Sequence, residues 1–298
     1  MTASCEEALV AVSHSCSIGC RFCFRADVGK TQISKEAFSR TASRLRELGV
    51  VRICLTGGEP AHHKDIGSLI RIGRQFGLSV SIVTAAREQE DVARLDAAGR
   101  LLAHATVSAD SSEAARLSGV SRSVESAITT VRSISCDSKS IHVICFDLSD
   151  SDLDDLERIA TDRSIRLEIS PLIIRRPKLD PAGRRHLRQT YERDLGALRR
   201  RFALDPAMSA IYDRVSRWVS GEQAPDGRCS TSQLYVNAAG SVRRCPYDRQ
   251  REVSIWDPRP TLKQHVHELF EQPGACNPSC AAICRQIGRA GENGVADR

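Results

Sequence analysis

Six short apolar stretches alternate with amphipathic helical patterns through the first 170 or so residues. That alternation restricts the chain to an α/β architecture built on a parallel sheet. Residues 8–13 read as a buried strand. Ser34 caps a helix that sets Phe38, Ala42, Leu45 and Leu48 on one face and stops at Gly49. Residues 50–56 form the second strand. The unit then repeats as helix 65–76 and strand 78–84, then helix 88–98 and strand 103–108. A helix striped by Val124, Ala127, Ile128, Val131 and Ile134 leads to strand 140–146. A helix carrying Leu153, Leu156, Ile159 and Ala160 leads to strand 165–170. In parallel sheets chemistry gathers at the carboxyl ends of the strands, so the residues just after each strand are the first candidates for a site.

Two of those positions carry distinctive residues. After the first strand comes Cys16-Ser-Ile-Gly-Cys20-Arg-Phe22-Cys23. Three thiolates supply three ligands, and a cubane [4Fe–4S] cluster held this way keeps one iron open to a small molecule. The alternative is a structural zinc site or buried thiols, but zinc motifs pair two C-x2-C or C/H knuckles. After the second strand comes Gly57-Gly58-Glu59-Pro60. Two glycines let backbone approach a ligand closely, and a carboxylate binds an ammonium group. Alone, the same four residues make only a tight turn. Thr84-Ala-Ala and Ser108-Ala-Asp110 end the third and fourth strands, as ordinary loop starts or as ligand contacts.

The chain breaks between Pro171 and Pro181. Asp180-Pro181 starts a helix with Leu187, Tyr191, Leu195, Leu198 and Phe202 in register, and Asp205-Pro206 starts another that stops at Gly221. From Gln223 the composition shifts to glycine, proline and cysteine, with a hairpin over 234–244 flanked by Cys229 and Cys245. Cys276, Cys280 and Cys284 follow at three-residue gaps. Five cysteines support one further cluster and leave one thiol over; a zinc knuckle is the alternative. The expected divisions are 1–175, a partial barrel; 176–222, a helical bridge; and 223–298, a small cysteine-rich domain.

Hydrophobic residues make up 41%, as in a globular chain, and no apolar run reaches the length of a membrane span. The N-terminus lacks a basic-then-apolar signal, so a cytoplasmic location is expected. Twelve cysteines in that reducing compartment point to metal or redox work rather than disulfides. The net charge of +6 concentrates between Arg175 and Arg201. With aromatics at 4%, this run reads as a solvated helix face or a docking surface for an acidic electron carrier, and nucleic acid is not expected as a partner. Cys5, Cys54, Cys136 and Cys145 lie singly and read as small core residues.

The C-x3-C-x2-C loop with Phe22 before its last cysteine, followed by Gly-Gly-Glu-Pro after the next strand, resembles the radical S-adenosylmethionine (SAM) superfamily. The hairpin with Cys229 and Gly240-x4-Cys245 resembles the SPASM/twitch auxiliary-cluster modules. The first resemblance implies a partial (βα)6 barrel of TIM type. Cys16, Cys20 and Cys23 would hold a [4Fe–4S] cluster, and Phe22, Gly57, Gly58, Glu59, Pro60, Ser108 and Asp110 would lie about SAM, with Glu59 at its amine. The second implies another [4Fe–4S] cluster on Cys229, Cys276, Cys280 and Cys284. In size and layout the chain is similar to the radical SAM epimerases of aminoglycoside pathways, of the neomycin C type. That likeness implies inversion of one sugar carbon: a 5′-deoxyadenosyl radical removes hydrogen and a thiol, Cys245, returns it from the other face. The implied partners are SAM, a polycationic aminosugar bound by carboxylates such as Asp110, Asp147 and Glu168, and a flavodoxin- or ferredoxin-type electron donor. The rivals are a twitch-type dehydrogenase of an aminocyclitol and a peptide-modifying SPASM enzyme, the latter expected to want a peptide-recognition domain. An iron–sulfur electron carrier is the non-catalytic alternative.

Overall fold

The computed structural model describes residues 5–21, 23, 29–173, 180–204, 206–219, 233–244, 246 and 251–271. The βα alternation forms where the apolar periodicity places it. The strands are β1 (Glu7–Ser13), β2 (Arg52–Gly57), β3 (Ser79–Thr84), β4 (His104–Asp110), β5 (Lys139–Cys145) and β6 (Arg166–Pro171). Between them lie α1 (Lys35–Glu47), α2 (Ile66–Gln75), α3 (Gln89–Asp96), α4 (Ser112–Ser118), α5 (Val124–Ser133) and α6 (Asp150–Thr161). Caps fix several helix starts. The Ser34 hydroxyl accepts from the Ala37 amide at 3.1 Å, and Ser149 with Asp152 completes a capping box on α6. The seven-residue helix α4 between β4 and α5 carries no stripe long enough to read from sequence.

The strands stand in the order β6-β5-β4-β3-β2-β1, all parallel. Sequential order means every crossover turns the same way, and right-handed crossovers then put all the helices on one face. The core lies between that face and the helices, with Leu45, Leu55, Leu69, Ile82, Val107 and Val143 fully buried. The other face is left for a concave interior, the geometry of a partial barrel.

Beyond β6, α7 (Pro181–Arg201) starts at Asp180, whose carboxylate accepts from the Gly183 amide at 2.7 Å. Helix α8 (Pro206–Val219) packs against it and against β6. The hairpin is present as β7 (Gln233–Val236) and β8 (Ser241–Arg243). It joins the barrel sheet: β7 pairs in parallel with β1, from Glu7 beside Gln233 to Val10 beside Val236. A short β9 (Val253–Ser254) and a helix α9 (Arg259–Glu271) follow, neither of them expected from the sequence. Among the described residues no helix is long and apolar enough to cross a membrane.

Candidate functional site

The loop after β1 and the turn after β2 interlock. The Gly58 amide donates to the Ser13 carbonyl at 2.5 Å and the Glu59 amide to the Ser15 carbonyl at 3.0 Å. Gly57 has φ +129°, and a Cβ there would sit 2.4 Å from the Ser13 oxygen. At Gly58 a Cβ would fall 1.6 Å from the Ser15 oxygen. The glycines therefore admit the backbone that leads into Cys16, and the turn becomes the footing of the cysteine loop.

Glu59 then ties the turn to the end of β3. Its side chain is 2% exposed. One carboxylate oxygen accepts from the Thr84 hydroxyl and, at 3.0 Å, from the Ala61 amide; the other accepts from the Ala85 amide at 2.8 Å. Burial pushes its carboxyl above the ordinary value, and the hydrogen bonds from Thr84, Ala85 and Ala61 pull the other way. A short 3-10 turn, Pro60–His62, follows. Next to it His63 is fixed as one tautomer: Nδ1 accepts from the Asp65 amide, so Nε2 carries the hydrogen that reaches the Ile33 carbonyl at 2.8 Å.

In the cysteine loop itself, Gly19 takes φ +64° and the Cys23 amide donates to the Cys20 carbonyl at 3.0 Å. Cys16, Cys20 and Cys23 are free thiols, and Cys23 is exposed. Burial raises the Cys20 thiol, and the neighbouring Arg122 charge lowers it. Cys20 lies within electrostatic reach of both Cys16 and Cys23. Yet among the described residues no three or more ligand side chains converge tightly enough for a single metal ion. Three soft thiol donors in one loop suit the three protein-held corners of a cubane cluster. Phe22 lies outside the described residues, as do Cys229, Cys245, Cys276, Cys280 and Cys284.

Asp110, at the end of β4, is 4% exposed and accepts two N–H groups from Arg122, one of them at 2.7 Å from Nε to Oδ2. Ser108 stands two residues earlier on the same concave face, beside His142 of β5. His142 in turn pairs with Glu168 of β6, and its Nε2 meets the Ser170 hydroxyl at 2.8 Å. Burial lowers the His142 ring below its ordinary value, against the neighbouring Glu168 charge that raises it. Glu168 binds Arg166. Burial pushes Glu168 upward, but Arg166, His142 and Ser140 together hold the carboxyl below its usual range. Asp147 has φ +50° and pairs with Arg193 of α7. Thus each of the three carboxylates expected to receive a cationic substrate already has an arginine partner. Of the four lone cysteines, Cys5, Cys136 and Cys145 are buried as expected; Cys54 is half-buried on β2.

Sequence comparison and structural comparison point the same way. The chain is 32% identical over 111 residues to a PqqA peptide cyclase of Rhodopseudomonas palustris, a match over 36% of this chain and 29% of that protein. It is 29% identical over 129 residues to the PqqA peptide cyclase of Streptomyces rochei, covering 36% of this chain and 35% of the other. The chain thus spans about a third of the length of these curated relatives. In fold it is similar to Streptococcus suis SuiB bound to the precursor peptide SuiA, with a TM-score of 0.60 at 16% identity over 93% of this chain and 70% of that one. It is also similar to anSMEcpe with bound AdoMet and Cp18Cys peptide, with a TM-score of 0.56 at 15% identity over 89% of this chain and 82% of the other. Residues 10–160, half of the chain, match the radical SAM superfamily. With the thiol loop, its glycine footing and the one-handed parallel sheet, that match establishes that the chain belongs to the radical SAM superfamily, whose members use a [4Fe–4S] cluster and SAM.

Proposed function

We propose that this radical SAM enzyme modifies a peptide. The observation that carries the reading is the sequence match to PqqA peptide cyclases over 36% of the chain. The concave face supports it. Asp110, Glu168 and Asp147 are each matched by an arginine, so the barrel mouth offers no unpaired acid among them to a polycationic sugar. Polar but charge-balanced walls suit amide and hydroxyl groups, which are satisfied by hydrogen bonds rather than by countercharge. A peptide substrate also does not demand a large added domain: anSMEcpe holds one in a chain of which this fold covers 82%.

In this reading Cys16, Cys20 and Cys23 hold the cluster, and Gly57, Gly58, Pro60, Ser108 and Asp110 form the wall beside SAM. Glu59 serves by fixing the turn to β3. Held there, a [4Fe–4S] cluster and SAM would supply radical chemistry able to take a hydrogen atom from the substrate. The chain's own residues orient the peptide and keep water from the radical. Cys229, Cys276, Cys280 and Cys284 would hold a second cluster able to accept the electron released when the substrate radical closes a new bond. The aminosugar epimerase remains the second reading, favoured by the presence of a fifth C-terminal cysteine, Cys245, beyond those four.

The test is anaerobic reconstitution with iron, sulfide, SAM and dithionite in D2O. Synthetic peptides encoded by short reading frames beside the gene would be assayed in parallel with a panel of aminoglycosides. The expected product is a peptide lighter by two hydrogens. An aminoglycoside carrying one solvent deuterium at unchanged connectivity, with every peptide untouched, would overturn the proposal in favour of epimerisation.

A further inference from the structure

The segment leaving α4 is docked on the cysteine loop. The Arg21 amide donates to the Ser118 carbonyl at 3.0 Å. The Arg21 side chain lies over Gly119, where a Cβ would stand 3.2 Å from Nε. Gly119, at φ +74°, ends the helix and turns the chain back toward the loop. Three residues later Arg122 points inward, with its side chain 14% exposed. It is fixed twice. Its guanidinium forks onto both carboxylate oxygens of Asp110, and the Asp110 amide donates to its carbonyl at 2.8 Å. Such a bidentate pair fixes orientation as well as charge.

The placement matters because of what lies beside it. Cys20 and Cys23 are within electrostatic reach of Arg122. Burial disfavours the guanidinium's charge, but Asp110 more than offsets this, so the cation persists. Three thiolates and a cluster would gather net negative charge at this point, and reducing the cluster adds one more. A fixed cation nearby favours the reduced form.

We propose that Arg122, locked by Asp110 and strapped to the cysteine loop through Ser118 and Arg21, is the positioning residue of the first iron–sulfur centre and sets how readily that centre takes up its electron. The inference rests on the chain's membership of the superfamily and is independent of the substrate.

The experiment uses the full chain, reconstituted anaerobically without SAM or substrate. The midpoint potential of the loop cluster is read by EPR-monitored redox titration, alongside iron content. Arg122→Gln is expected to move the midpoint to more negative potential. Arg122→Lys should stay near wild type. Asp110→Asn, which removes the partner's negative charge and keeps the cation, should move it to more positive potential. A merely structural role would not give opposite signs. Should R122Q take up no iron, R122K and D110N decide by the same criterion. An R122Q protein with full iron and an unchanged midpoint would overturn the inference. So would an R122K midpoint displaced from wild type, or a D110N midpoint that is unchanged or more negative.

Discussion

A methyl group placed on Gly58 would lie 1.6 Å from the carbonyl oxygen of Ser15. The two residues belong to the loops that follow β2 and β1, Ser15 lying just before Cys16, and here they touch through backbone alone. The Gly-Gly pair is thus spent on the chain's own cysteine loop, and any role toward SAM acts through a turn already committed to that contact.

Gly58→Ala should consequently separate the loop from its footing. We expect destabilisation of at least ~3 kcal/mol, because backbone rather than a flexible side chain must move. Iron uptake after reconstitution should fall sharply. Urea unfolding and iron per chain measure both. Gly67→Ala in α2 is the control: its nearest contact, 3.5 Å from Ala98 Cβ, is ordinary packing.

The Glu59 clip predicts coupling between two segments 25 residues apart. Glu59→Gln leaves Thr84 or the Ala85 amide without its acceptor, and Thr84→Val removes a donor from a buried carboxylate. Each should cost about 1–3 kcal/mol. The double variant should cost clearly less than the sum, which a double-mutant cycle on urea midpoints would show. Strict additivity would mean that the contact contributes nothing.

The loop thiols give a direct chemical expectation. Cys20→Ala should leave helix content and unfolding midpoint near wild type, since the loop turn is held by the Cys20 backbone carbonyl and not by its half-buried thiol, yet abolish iron uptake at the first site and release of 5′-deoxyadenosine. Iron analysis with circular dichroism and product chromatography separates the two effects.

Asp194 of α7 predicts a pH dependence of stability. Its carboxylate accepts from the Asp147 amide at 2.8 Å and the Leu148 amide at 3.0 Å, holding the left-handed turn after β5. Burial raises its carboxyl from 3.8 to about 6. Between those values the unfolded chain loses its proton while the folded chain keeps it. Stability from this group is therefore present at low pH and lost as pH rises through the window, by roughly 2–3 kcal/mol. The difference in unfolding free energy between wild type and Asp194→Asn should shrink or reverse along that rise. A difference that stays flat from pH 4 to 6.5 would contradict it.

Much of the barrel was legible because apolar periodicity is a local signal. Phe38, Ala42 and Leu45 announce α1, and all three are buried. Cys16, Cys20 and Cys23 stand out because so few chemistries use that spacing. The partners of Gly58 and Glu59 were not legible: each contact joins backbone or side chains brought together only by the sheet, as with Glu59 and Thr84. Arg122 was missed for the same reason. In sequence it is one arginine among many, and its only signal is an apolar and serine-rich neighbourhood 12 residues past Asp110. The carboxylates Asp147 and Glu168 looked available because their arginines, Arg193 and Arg166, become partners only after folding. The pairing of β7 with β1 spans more than two hundred residues and leaves no local trace.

That last pairing has a consequence for how the molecule is made. Strand β1 emerges from the ribosome long before β7, and one of its two flanking edges stays unsatisfied until the segment around Tyr235 has been synthesised. Through that interval the nascent chain presents an open, apolar ribbon of backbone donors and acceptors, an invitation to self-association that protein truncated before β7 would carry permanently.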